Sequence, residues 1–157
     1  MISLLTDVGL RLSECTGLLV VNVSLPYLKV LGKGSKERVV ALSAAMVKRL
    51  RKYVRVRKRM VEQTDADPEH LFPSRFGRQV SSKRFDSILK AYGADAGITG
   101  VRISAHTFRY TYASIALRNG MKLTNLQTCL GHTTLADLPP LTVPLTVSWI
   151  RCLQPCP

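Results

Sequence analysis

Between Ser43 and Val61 the apolar residues Met46, Leu50, Val54 and Val61 recur at helical intervals, with many lysines and arginines between them. That spacing predicts one long helix, capped by Ser43, with an inner apolar stripe and a densely cationic outer face. Upstream the period shortens to two. Tyr27–Leu31 and Arg38–Leu42 are β-rich runs flanking a Gly-Lys-Gly-Ser turn, which predicts a hairpin. The chain opens in an apolar stretch, and "TDVGLRLSECTGL" predicts a helix from about Leu10 with Arg11 and Glu14 on one face.

Downstream, "EQTDADPEH" is a polar loop and "LFPSRFGRQV" a short extended piece turning at Pro73 and Gly77. Ser81 or Ser82 caps a helix with Phe85, Ile88, Leu89 and Tyr92 at helical spacing. Ser104 caps the next, with Phe108, Tyr112 and Ile115 inward and its end near Gly120. "KLTNLQTCLGH" predicts a short helix closed by Gly131. The expected fold is mixed α+β, mainly helical, with a small antiparallel β-hairpin or sheet, and no internal repeat. Residues 1–137 read as one domain. After Asp137 the character changes: "LPPLTVPLTVSWIRCLQPCP" holds five of the eight prolines and one charge, Arg151. Residues 138–157 are therefore expected to form an irregular apolar tail, since prolines so placed deny a regular helix.

Charge narrows the partners. Lysine and arginine number 23 against 10 acidic residues, a net +13, which points to a polyanion, with nucleic acid ahead of an anionic membrane surface. The start is not expected to be a signal peptide, because it lacks a basic region and Asp7 interrupts the apolar run. No stretch reaches the roughly 20 apolar residues that span a bilayer. The 4 cysteines form no CxxC pair, so reduced thiols in a cytoplasmic protein are expected.

The candidate chemistry lies in arginines, histidines and one lysine. Arginine offers a planar fork of donors matched to phosphate oxygens. Arg11 beside Glu14, and Arg109 one turn from His106, are candidate clamps; Lys33 sits at the hairpin tip between two glycines. Taken singly, each is as readily an ordinary solvated charge. "GKGS" resembles a phosphate-binding loop, but Tyr27 stands where the first Walker glycine belongs and Gly34 follows the lysine. His70, His106 and His132 have no ligands at metal spacing, so no metal is expected. No GxSxG elbow supports a serine nucleophile.

In order, the set is Arg11 in "GLRLSE", Lys33 in "GKGSKER", His106 and Arg109 in "HTFR", and His132 in "LGH". Over about Leu4 to Ala136 the sequence resembles the tyrosine recombinase (phage integrase) family, whose catalytic domain carries these motifs in this order. "RYTYAS" departs from the more usual histidine-containing form, and "LLVVNV" from a more aromatic and acidic one. The resemblance implies that Arg11 and Arg109 grip one DNA phosphate, Lys33 protonates the departing 5′-oxygen, His106 transfers protons and His132 hydrogen-bonds the phosphate, with Glu14 in support. It implies no cofactor or small-molecule substrate, double-stranded DNA as partner, and other recombinase protomers as further partners. Lys36, Arg38, Lys48, Arg51, Lys52, Arg55, Lys58 and Arg59 are the candidate DNA-backbone contacts. The implied location is the cytoplasm of a bacterium, at the nucleoid.

One member of the set is absent. The family's nucleophilic tyrosine falls at Leu141 here, within "PPLTV", and the 5 tyrosines all precede His132. Thr142 is a poor substitute, because an aliphatic alcohol ionises far less readily than a phenol. The expected function is site-specific DNA recombination by a recombinase catalytic domain that cannot cleave alone, with a lost reading frame as the simplest cause. Three alternatives stay open: a non-catalytic DNA-binding module that antagonises an intact recombinase, an enzyme completed by a neighbour's tyrosine, and a basic RNA-binding protein.

Overall fold

The computed structural model describes residues 1–32, 36–62, 69–74 and 76–131. The first departure from expectation comes at Gly9. Instead of one helix from Leu10, helix α1 (Ile2–Val8) ends at Gly9, whose φ of 68° is left-handed, and α2 (Leu12–Thr16) begins after Arg11. The cause is local: the Glu14 carboxylate accepts the Arg11 backbone N–H at 2.8 Å, so the three-residue spacing serves as a capping box rather than a helix face. Glycine is also required at the break because a Cβ there would overlap the Tyr112 ring.

A short 3-10 turn (Val20–Asn22) leads into an antiparallel sheet of order β1-β2-β3, comprising β1 (Val23–Ser24), β2 (Tyr27–Leu31) and β3 (Glu37–Ala41). The predicted hairpin is β2 and β3; β1 is an added strand too short to carry a readable period. Leu28 pairs with Val40 and Val30 with Arg38, and the valines and leucine of these pairs are buried. The face carrying Tyr27, Leu31 and Val39 is exposed.

Ser43 opens α3 (Ala44–Glu62): its hydroxyl oxygen accepts the Met46 N–H at 3.1 Å. The same hydroxyl donates to Asp7 at 2.6 Å, which ties α1 to the positive end of α3. Met46 and Leu50 are buried, while Val54 and Val61 are half-buried. The stripe also takes in Arg57, buried with Nε donating to the His70 carbonyl at 2.9 Å.

Helix α4 (Ser82–Asp95) is capped by Ser81, which accepts the Arg84 N–H at 3.2 Å. Its buried face runs through Phe85, Leu89 and Gly93, with Ile88 half-buried and Tyr92 beside the face at 61% exposure rather than on it. Gly93 leaves room for Ile103, whose Cδ1 occupies the space of a Cβ. Helix α5 (Ala105–Arg118) starts at Ser104 and stops before Asn119; Phe108 is buried, Tyr112 and Ile115 half-buried. Helix α6 (Leu123–Leu130) ends at Gly131, φ 64°.

The main core joins α1, the sheet, α3, α4 and the start of α5 through side chains such as Leu4, Leu10, Leu28, Leu50, Leu71 and Leu89, each 0–1% exposed. Each such burial contributes about 1.5–3 kcal/mol. A smaller cluster, Ala113, Ala116, Leu126 and Leu130, packs α6 on α5. Helix α1 also packs along α5, so the backbone at Gly9 and the last turn of α6 both meet Arg109. Among the described residues no helix is long and apolar enough to cross a membrane. The expected tail at 138–157 lies outside the described residues.

Candidate functional site

Glu14 is the centre of the site. Its side chain is 3% exposed, and three arginines from separate segments surround it. Arg11, at the cap of α2, donates its backbone N–H to Oε2 and Nη1 to Oε1 at 3.1 Å. Arg38, on β3, forks onto the same carboxylate: Nη1 meets Oε1 at 2.9 Å and Nη2 meets Oε2 at 2.8 Å. Burial alone would raise the Glu14 carboxyl; the Arg38 hydrogen bonds, the Arg11 backbone N–H and the Arg38 charge outweigh it and hold it below the ordinary range.

Arg109 comes from the second turn of α5 and is 5% exposed. Nη1 donates to the Gly9 carbonyl at 2.5 Å and Nη2 to the Leu130 carbonyl at 2.6 Å. These are freed carbonyls at the ends of α1 and α6, so the guanidinium completes two helix termini at once. Burial, then the like charge of Arg11, pushes the Arg109 pKa down to about 10, and Glu14 opposes that fall. It remains a cation at neutral pH.

Arg11 is the more open of the pair bound to Glu14, its side chain 33% exposed against 15% for Arg38. Its Nη2 also reaches the Gly131 carbonyl at 3.4 Å. Three guanidiniums against one carboxylate leave a net charge of about +2 in a partly desolvated place, where charge interactions are stronger than in water. Such an arrangement suits an anion with several oxygens at fixed angles.

His106 lies one turn before Arg109 on α5 and is exposed. It lines a cleft of about 600 Å³ with Leu12, Lys83, Arg102, Ser104 and Tyr110, beside the arginine cluster. Its ring stands 6.3 Å from that of Tyr110. The structure thus brings together Arg11, Glu14 and Arg109, and sets His106 next to them. Lys33 and His132 lie outside the described residues, though the chain positions flanking them, Gly32 and Gly131, both pack against Arg38.

The backbone-binding candidates divide. Lys48, Arg51, Lys52, Arg55, Lys58 and Arg59 are exposed along α3, and Lys36 is exposed before β3. Arg38 is turned inward onto Glu14. Alternation along β3 carried the signal for this, since Arg38 shares a face with buried Val40.

No side chain in the cluster is a nucleophile. Cys15, adjacent to Glu14, is buried and its thiol pushed up to about 12 by desolvation, which keeps it neutral. Burial likewise raises the Tyr112 phenol, and the Tyr53 hydroxyl donates to the Leu71 carbonyl at 2.9 Å. Among the described residues no group of three or more His, Cys, Asp or Glu side chains could hold a metal ion.

Residues 1–138 match the family model described as the phage integrase family. The tyrosine recombinase XerD of Proteus mirabilis is 34% identical over 138 residues, covering 87% of this chain and 44% of XerD. The tyrosine recombinase XerC of Chlamydia trachomatis serovar L2 is 37% identical over 130 residues, covering 81% of this chain and 40% of XerC. The chain spans less than half the length of these curated relatives. The crystal structure of XerA recombinase superposes with a TM-score of 0.79 at 28% identity, covering 95% of this chain and 53% of that one. XerH site-specific recombinase, bound to its difH substrate before cleavage, shares the fold with a TM-score of 0.73 at 22% identity, covering 86% of this chain and 39% of XerH.

Proposed function

Because the chain belongs to the phage integrase family, we propose that its arginine cluster grips one phosphate of double-stranded DNA as part of a tyrosine recombinase active site. The observation that carries this reading is the convergence of Arg11 and Arg109 around a single buried carboxylate, which leaves net positive charge beside the cleft of His106. In strand cleavage the two guanidiniums would stabilise the charge that builds on the non-bridging oxygens as phosphorus becomes pentacoordinate. The attacking phenolic oxygen forms a bond to phosphorus while the bond to the 5′-oxygen breaks. Lys33 delivers a proton to that leaving oxygen, and His106 takes part in acid–base transfer. His132, next to Gly131, adds a hydrogen bond to the phosphate. The cationic face of α3 tracks neighbouring phosphates. The setting is the bacterial cytoplasm, at the nucleoid.

The residues after His132 include no tyrosine, so this chain by itself binds the phosphate and forms no covalent link. That observation also favours a second reading, a DNA-binding module that competes with an intact recombinase. The test compares two nicked duplexes, one ending in a 3′-phosphate at the nick and one in a 3′-hydroxyl, by fluorescence anisotropy. The clamp predicts tighter binding of the 3′-phosphate, and Arg11→Ala abolishes the difference. Equal binding of both by the unsubstituted chain would sink the clamp. On a denaturing gel no protein–DNA adduct should form. Mixed with a full-length relative, competition inhibits cleavage, whereas completion by a neighbour's tyrosine restores it.

A further inference from the structure

Arg38 satisfies three acceptors from two different segments. Its Nη atoms take both oxygens of Glu14, and its Nε donates to the Cys129 carbonyl in the last turn of α6 at 3.1 Å. The guanidinium lies between two motif glycines. A Cβ on Gly32 would stand 3.4 Å from Arg38 Nη1, and one on Gly131 would stand 3.2 Å from the same atom. The glycines of "GKGSKER" and "LGH" thus leave the space in which one side chain passes. That side chain joins β3, the cap of α2 and the end of α6, the segments that bear or adjoin Lys33, Arg11 and His132.

We propose that Arg38 is a positioning residue that fixes Arg11 through their shared carboxylate, rather than a contact to the DNA backbone. Glu14 Oε1 accepts from Arg38 at 2.9 Å and from Arg11 at 3.1 Å, so Arg38 sets the plane of the carboxylate and the carboxylate sets Arg11. A lysine keeps the charge but cannot reach two carboxylate oxygens and a carbonyl in one plane. The consequence for DNA rests on the phosphate-binding reading of Arg11; the effect on Arg11 itself does not.

Two measurements separate these. With nicked duplexes, Arg38→Lys and Arg38→Gln should each lose the 3′-phosphate preference by about tenfold, as Arg11→Ala does, while affinity for an intact duplex changes little. Retained preference in Arg38→Lys would overturn the proposal, since a direct contact needs only the charge. Loss of preference in Arg11→Ala but not in Arg38→Gln overturns it as well. If the unsubstituted chain shows no preference, the phosphate reading fails, and the side-chain N–H signals of the DNA-free protein decide the positioning role. There Arg38→Lys should displace the Arg11 Nε signal, and an unmoved signal overturns the proposal. In the unsubstituted protein the Arg38 Nε proton should exchange slowly with solvent; fast exchange overturns the proposal even if the variants fail to fold.

Discussion

Two cationic regions of this chain use the same residue types in opposite ways. Along α3, Lys48, Arg51, Lys52, Arg55, Lys58 and Arg59 stand in solvent, where salt screens them and no single position is critical. Around Glu14, three arginines are held by a carboxylate and by the carbonyls of Gly9, Cys129, Leu130 and Gly131. The first region supplies a field; the second supplies directions. Affinity for a polyanion needs only a field, whereas stabilising charge on one phosphorus needs donors that do not reorganise as the reaction proceeds.

The sharpest way to break the contrast is Glu14→Gln. Removing the buried carboxylate leaves Arg38 and Arg11 without their counter-charge, and breaking a buried pair costs about 3–5 kcal/mol. Chemical denaturation should show that loss at neutral pH. Because the folded-state pKa of Glu14 is depressed, its stabilising contribution is full above the unfolded value of about 4.3 and disappears as pH falls through the folded value. The unsubstituted protein should therefore lose stability as pH falls below about 4, and Glu14→Gln should flatten that part of the profile. An α3 substitution should leave it unchanged.

Gly9→Ala tests whether backbone shape, with every charge retained, is enough to disturb the cluster. The residue has φ 68°, and the new methyl would meet Tyr112. Strain and overlap together should cost about 2 kcal/mol by denaturation, with Arg109 moved because Gly9 is its acceptor. Ser104→Ala is milder. It removes the side-chain acceptor for the Thr107 N–H at 3.3 Å and should cost about 1 kcal/mol, loosening the turn that bears His106 more than the turn that bears Arg109.

The contrast also separates what sequence makes legible from what it does not. Helix α3 was readable because period and cap agree: Met46 and Leu50 face inward and Ser43 closes the start. The order of Arg11, His106 and Arg109 was readable as a motif set. Their environment was less so. The three-residue spacing of Arg11 and Glu14 suits a helix face and a capping box equally, and only the chain's turn at Gly9 decides between them. Arg38 and Arg57 look like members of the cationic surface, yet Arg38 lies on the inner face of β3 and Arg57 in the α3 stripe. Each is held by acceptors distant in sequence or on another element, which composition does not display.

The smallest folding effect, and the most diagnostic for DNA, comes from Arg55→Gln with Lys58→Gln. Both side chains are exposed, so each change should shift stability by no more than about 0.5 kcal/mol. Binding to an intact duplex should weaken, and the slope of log affinity against log salt should fall by about 0.9 for each lost phosphate contact. The preference for a 3′-phosphate at a nick should survive, because neither residue bonds to Glu14, Arg11 or Arg109. If the double variant instead loses that preference in proportion to its overall affinity, the arginine cluster contributes only charge, and the distinction between a field and a set of directions fails for this chain.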